Sequence, residues 1–320
     1  MSVQETIERS HRTNGVFEVA VPQPGVSDEA APGEADGAGA TKTTTGTSRR
    51  SAAAPARARR RMPQALKRWG IRLFAILVAI ALWDYLTVTD FHYVMNFENV
   101  PEPLVVAKNL IAHLQTEKFY IHILVSLRRI LIGYSFAVVL GIVIGLLMGR
   151  SKLAEDFFIP YIEILRPIPA VAWIPLAILM WPTEESSIIY ITFLGAFFPI
   201  VINTVHGAEQ TPAVLVRAAQ SLGASPVEIF WHVVIPAALP SIAAGLSIGM
   251  GVSWFSLLAG EIISGQYGIG YFTWNAYSLI EYPNIVVGML VIGGLGTAST
   301  YLVKLATKPL LRWQKAEQGR

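Results

Sequence analysis

Gly245, Ser247 and Gly249 fall in the spacing G-x-S-x-G (Gly245-Leu246-Ser247-Ile248-Gly249). In serine hydrolases that spacing exposes a nucleophilic serine on a tight turn between a strand and a helix. Here it lies midway through an apolar run, with no strand before it and no His and acid partner nearby. The pattern reads instead as a face of small residues on which helix backbones approach each other. No G-x-x-x-x-G-K-[ST] sequence occurs to cradle a nucleotide, and no H-E-x-x-H to hold zinc. The six histidines (His11, His92, His113, His122, His206, His232) are scattered without ligand spacing. The absence of cysteine removes thiolate metal sites, disulfides and Cys nucleophiles together. The chain is therefore read as non-enzymatic, with no catalytic residue, cofactor or metal of its own.

What surrounds these residues explains why so little catalysis is written in them. Only 15% of the 320 residues are charged, 53% are hydrophobic and the mean hydropathy is +0.48. A soluble domain carries about 25% charged residues, so the chain reads as an all-α integral membrane protein. Residues 1–66 are rich in Ala, Gly, Thr, Pro and Arg and poor in large apolar side chains, which predicts a disordered tail. Nine Lys and Arg without an acid occupy residues 49–72, read as part of a solvated tail with contact to anionic lipid as the alternative; no nucleic-acid partner is expected. A first transmembrane helix is expected at 70–89. Further apolar runs at about 126–149, 168–182, 188–206, 236–260 and 284–305 bring the count to six helices. Continuous apolarity excludes a β-barrel, whose strands alternate with period two.

Lys and Arg counts in alternate segments set the orientation. With the N-terminal tail inside, the inner segments hold 21 and the outer segments four: Lys108, Lys118, Arg128 and Arg129. Both termini are then cytoplasmic, with a C-terminal tail over 307–320, and the protein is multi-pass in the cell membrane. The central runs, 131–148, 186–205, 229–260 and 285–303, contain no Asp, Glu, Lys or Arg. Proton relays use such charges, so a proton-coupled carrier is disfavoured and the energy for transport must come from elsewhere. Gly141, Gly145 and Gly149 stack on one helix face, suited to packing within a bundle or to a dimer seam.

The inner loop 207–235 is the most informative segment. A helix over about 212–222 should stop at Gly223, which supplies a left-handed terminating conformation. A second short helix should start with Ser225 as N-cap, Pro226 at the first position and Glu228 closing a capping box. Two short helices hinged at a glycine form a lever that can dock in a partner's groove.

This loop resembles the signature E-A-A-x3-G-x9-I-x-L-P of the permease subunits of type I ATP-binding-cassette importers. Here it reads Arg217-Ala218-Ala219, three residues, Gly223, nine residues, then Val233-Val234-Ile235-Pro236, with Arg217 standing in place of the family's Glu. The resemblance covers roughly 122–306. It narrows to the nitrate, sulfonate, taurine and bicarbonate branch through Leu165-Arg166-Pro167-Ile168-Pro169, Trp173-Ile174-Pro175-Leu176, Phe198-Pro199-Ile200, Asn203-Thr204 and Gly268-Ile269-Gly270-Tyr271. It implies a homodimer served by two cytoplasmic ATPase subunits, which bind the ATP, and by an extracytoplasmic solute-binding protein. It also implies that Arg217, Ala218, Ala219, Gly223, Ser225, Glu228 and Pro236 couple ATP to alternating access for a small solute such as a sulfonate, taurine or nitrate. Asn203, Ser253, Trp254, Ser256 and Glu261 are nominated for the solute pathway. Glu261 is expected at the outer water interface, with an outer gate as the alternative. An ion-coupled carrier and a hydrolase using Ser247 are the competing readings.

Overall fold

The computed structural model describes residues 64–89 and 99–311. The first 63 residues, with most of the basic cluster and His11, lie outside the described residues, as do His92 and residues 312–320. All regular structure among the described residues is helical. In chain order the helices are α1 (Gln64–Val88), α2 (Pro103–Leu114), α3 (Glu117–Arg150), α4 (Lys152–Leu165), α5 (Ile174–Met180) and α6 (Glu184–Glu209). They continue as α7 (Ala213–Ser221), α8 (Pro226–Ile229), α9 (Ile235–Ser264), α10 (Ile269–Ser278) and α11 (Tyr282–Thr307).

Among the described residues, five helices are long and apolar enough to cross a bilayer: Arg68–Val88, Glu117–Arg150, Glu184–Glu209, Pro226–Ile263 and Tyr282–Leu311. The run at 168–182 is short and interrupted by Pro167, Pro169 and Pro175, which suits a continuation of the helix carrying Phe157–Leu165, and the two are joined across a sharp bend. α4 and the segment Ala170–Met180 are bent by 87° relative to each other, as in a broken span or a re-entrant loop. Because α3 and α6 run parallel, the chain between them must cross the bundle, and the pair is one broken span. Pro167 and Pro169 lie in the break and have no N–H with which to continue a helix. Two short helices in the connections before α3 and before α11, α2 and α10, were not anticipated, because neither is long enough to register as an apolar run.

α6 is the axis of the bundle and packs against both α3 and α9. Lipid-facing helices gain little from hydrophobicity, so they associate where small residues allow close backbone contact. A Cβ added to Gly141, Gly145 or Gly149 of α3 would come within 2.8 Å of Ile200, 2.6 Å of Thr204 or 2.5 Å of Ala208 respectively. The glycine stripe is thus consumed by α6, and the dimer-seam alternative for it is withdrawn. These pairs rise together in residue number, so α3 and α6 run parallel. Gly249 meets Ile200 and Gly245 meets Asn203, so α9 runs antiparallel to α6. Val287, near the start of α11, packs with Phe119, near the start of α3. The starts of α3, α6 and α11 therefore share one face of the bundle, and the loop 210–229 lies at the other.

α1 exposes almost its whole length, including Phe74 and Leu77; Trp83 alone is packed against the cluster formed by Val106, Phe119, Ile269 and Val287. An apolar helix of this kind needs lipid around it.

Candidate functional site

At the loop face, α7 ends in a Schellman turn. The Ala224 N–H donates to the Ala219 carbonyl at 3.1 Å and the Gly223 N–H to the Gln220 carbonyl at 3.0 Å. Gly223 has φ +84°, a left-handed conformation that glycine adopts without strain. The capping box follows: the Glu228 N–H donates to Ser225 Oγ at 3.3 Å, and the Ser225 N–H to Glu228 Oε2 at 2.7 Å. The expectation of a second separate short helix is corrected. α8 runs through a π-helical turn, Phe230–Val234, directly into α9. Pro236 explains that turn: lacking an N–H, it cannot continue a regular ladder, and the wider turn absorbs the interruption. The arm after Gly223 is therefore the end of a membrane helix.

A small core of Ala208, Ile229 and Val234, with Val216, Ala219 and Leu146 around it, fastens this elbow to the ends of α3 and α6. Its outer side is apolar and uncovered: Val214, Val227 and Leu222 are exposed, Leu222 at 88%. Arg217 and Ala218 are exposed beside them, and Arg217 has no side-chain partner among the described residues.

A cavity of about 420 Å³ lies between α6, α9 and the broken span. Its α6 residues, from Leu194 to Asn203, begin roughly 15 Å from the start of that helix and stop roughly 9 Å short of its end at 1.5 Å per residue. Of the five nominated pathway residues, Asn203 and Ser256 line it. Asn203 donates its amide to the Pro199 carbonyl at 2.8 Å. Ser253 is buried elsewhere in α9, and Trp254 donates its indole N–H to Ser299 Oγ at 2.7 Å, joining α9 to α11. Arg166, counted above with the inner charges, is in the break and lines the cavity with Trp173.

Glu261 is also corrected. It is fully buried rather than water-exposed, and it organises the opposite face of the bundle. Arg129 Nη1 reaches its Oε1 at 3.0 Å, Ser126 Oγ lies 2.8 Å from the same oxygen, and the Gly270 N–H donates to Oε2 at 2.9 Å. Arg129 also donates from Nε and Nη2 to Glu185 Oε2 at 2.9 and 2.7 Å, and from Nη1 to the Tyr267 carbonyl at 2.6 Å. Arg128 holds the other oxygen of Glu185 at 2.6 Å. One clasp thus ties α3, α6, α9 and the loop before α10. The glycines of Gly268-Ile269-Gly270 let that loop lie on the carboxylate: a Cβ on Gly268, whose φ is +122°, would collide with Glu261. Arg129 escaped the sequence reading because it resembled an outer-loop charge, although it sits inside α3.

Ser247 donates its hydroxyl to the Ala243 carbonyl one turn back in α9, at 2.9 Å. It lies within a continuous helix, without the strand-to-helix turn of a hydrolase nucleophile.

A bundle of apolar spans, one of them broken beside a cavity, with a capped elbow at one face, describes a multi-pass membrane protein. The chain belongs to the family of binding-protein-dependent transport system inner membrane components, which matches residues 137–312. It is 30% identical over 267 residues to the bicarbonate transport system permease protein of Synechococcus elongatus, covering 78% of this chain and 95% of that one. The taurine transport system permease protein of Escherichia coli is 35% identical over 191 residues, 60% of this chain and 68% of its own. The nitrate import permease protein of Synechocystis sp. is 39% identical over 176 residues, 55% of this chain and 64% of its own. The protein is thus an inner-membrane permease of a type I ATP-binding-cassette importer, in the branch that contains these relatives.

Proposed function

We propose that this permease moves a small anion inward by alternating access, driven by ATP hydrolysis on two cytoplasmic ATPase subunits and supplied by an extracytoplasmic binding protein. The observation that carries the reading is the elbow: a helix ended by a Schellman turn, an exposed apolar surface at Leu222 and Val227, and a second arm continuous with α9. Arg217, Ala218 and Ala219 present the contact surface of α7. Gly223, Ser225 and Glu228 fix the bend, and Pro236 marks the π turn through which the push enters α9. A partner that grips α7 differently in two nucleotide states shifts the bundle between two states, as coupled equilibria require.

The charges support the orientation: Arg150, Lys152, Arg217, Lys304 and Lys308 sit toward the elbow face, and the positive-inside rule favours a cytoplasmic position for that face, the side proposed for both termini. A second copy of the chain completes the pathway, and lipid covers α1. An anionic cargo is supported by the relatives named for nitrate, taurine and bicarbonate.

Uptake of labelled nitrate, taurine and bicarbonate by cells with and without the gene, before and after ATP depletion, tests the reading. ATP-dependent uptake of one anion, lost on deletion, is expected. Uptake that persists without ATP under an imposed ion gradient would identify an ion-coupled carrier instead.

A further inference from the structure

The cavity has a cationic edge that none of the five nominated pathway residues supplies. Arg166 stands at its edge in the break of the α4–α5 span, and its guanidinium has no ion pair or hydrogen bond among the described residues. No acidic residue lines the cavity. Two further donors are also unmatched: the indole N–H of Trp173 and the hydroxyl of Ser256 are buried without a partner, and both residues line the same space. Ser256 is completely buried, and its Oγ lies against Gly195, where any side chain would displace it.

Each feature alone has an ordinary cost. Arg166 is exposed, and a guanidinium exposed within a membrane span is expensive unless it faces water or an anion. Non-helical backbone within the bilayer is tolerated where it lines a cavity. A buried donor left unsatisfied also costs free energy. All three costs fall in one place and share one remedy, an acceptor-rich anion. The rest of the lining is apolar, with Phe198 and Phe255, which suits a small solute that contributes its own charge.

We propose that Arg166, Trp173 and Ser256 form an oxyanion-binding station in the translocation pathway, taking one sulfonate, nitrate or carboxylate-type group at a time. The planar guanidinium offers paired N–H donors to two oxygens, and the indole and hydroxyl complete the set. The size and chemistry of the lining fit small oxyanions, while Arg166 supplies charge recognition inside the membrane. This inference rests on the permease reading above and deepens it.

The test uses the assembled transporter, permease with ATPase and binding protein, in cells and in proteoliposomes. Uptake of labelled nitrate, taurine and bicarbonate is measured beside the ATP hydrolysis that loaded binding protein stimulates. R166Q is expected to lower uptake about tenfold or more, the scale of a lost charged hydrogen-bond set, with R166K retaining a larger share. Stimulated ATP hydrolysis should continue, because the elbow is untouched; a merely structural role for Arg166 would lower both. R166Q uptake within about twofold of wild type, at equal membrane abundance, overturns the proposal. If R166Q fails to reach the membrane, W173F and S256A decide: a fall of about threefold or more in either supports the station, and wild-type uptake in both overturns it. A wild-type transporter that carries with ATP only solutes lacking a sulfonate, nitrate or carboxylate-type group overturns the station while leaving the ATP-driven permease standing. Wild-type uptake independent of ATP refutes the underlying reading instead.

Discussion

Arg129 and Glu261 meet at 3.0 Å with side chains 5% and 0% exposed, joining α3 to α9 across 132 residues of sequence. Glu185 lies on the other edge of the same guanidinium, so one cation serves two carboxylates, and Arg128 balances the second from the surface. Removing one member of a buried pair leaves an uncompensated charge and costs about 3–5 kcal/mol. Glu261→Ala and Arg129→Ala should each lower the thermal unfolding midpoint of the detergent-solubilised protein by several degrees. Arg128→Ala, at an exposed pair, should move it little. Equal midpoints for all three would remove the clasp from the account.

Gly268 and Gly223 both hold left-handed backbone, yet their surroundings differ. A Cβ on Gly268 strikes the Glu261 carboxylate, whereas one on Gly223 meets nothing within 4 Å. Gly223→Ala should therefore cost only the backbone strain, about 1 kcal/mol. Gly268→Ala adds the collision and should be clearly less stable. Thermal scans of the two variants side by side check the order.

The α3–α6 seam predicts a second contrast. A Cβ on Gly145 would lie 2.6 Å from Thr204, and one on Gly293 meets nothing within 4 Å. Gly145→Val should overpack the seam by about 1–3 kcal/mol or more and reduce the yield of folded protein. Gly293→Ala should be silent. Size-exclusion profiles in detergent report both.

Gly223→Pro removes the N–H that reaches Gln220 and forces φ to about −65°, so the Schellman turn cannot form. Membrane abundance should hold while binding-protein-stimulated ATP hydrolysis and uptake both fall sharply. Uptake equal to wild type in this variant would end the lever interpretation of the elbow.

The sequence carried whatever depends on neighbouring residues. Long apolar runs fix membrane spans, and the turn at Gly223 and the box at Ser225 and Glu228 are set by a few residues each, so both could be read without coordinates. What escaped was tertiary. Arg129 and Glu261 each looked like a charge at a helix end, and only folding reveals that they neutralise each other. Arg166 looked like an inner-loop base because the apolar run after it begins at Ile168; it follows directly on the end of α4, and only folding shows that it lines the cavity beside the break. α2 and α10 are short, and their burial depends on partners distant in sequence. The glycine stripe of α3 announced a close helix contact but could not say with which helix.

The absence of native cysteine makes one measurement especially direct. Leu222→Cys places a single thiol on the most exposed apolar side chain of the elbow. A membrane-impermeant maleimide should label it in inverted vesicles and not in intact cells, and a short bifunctional crosslinker should join it to the ATPase subunit with a yield that changes between ATP-bound and nucleotide-free states. Labelling from the outside, or no crosslink to an ATPase in either state, would contradict the account.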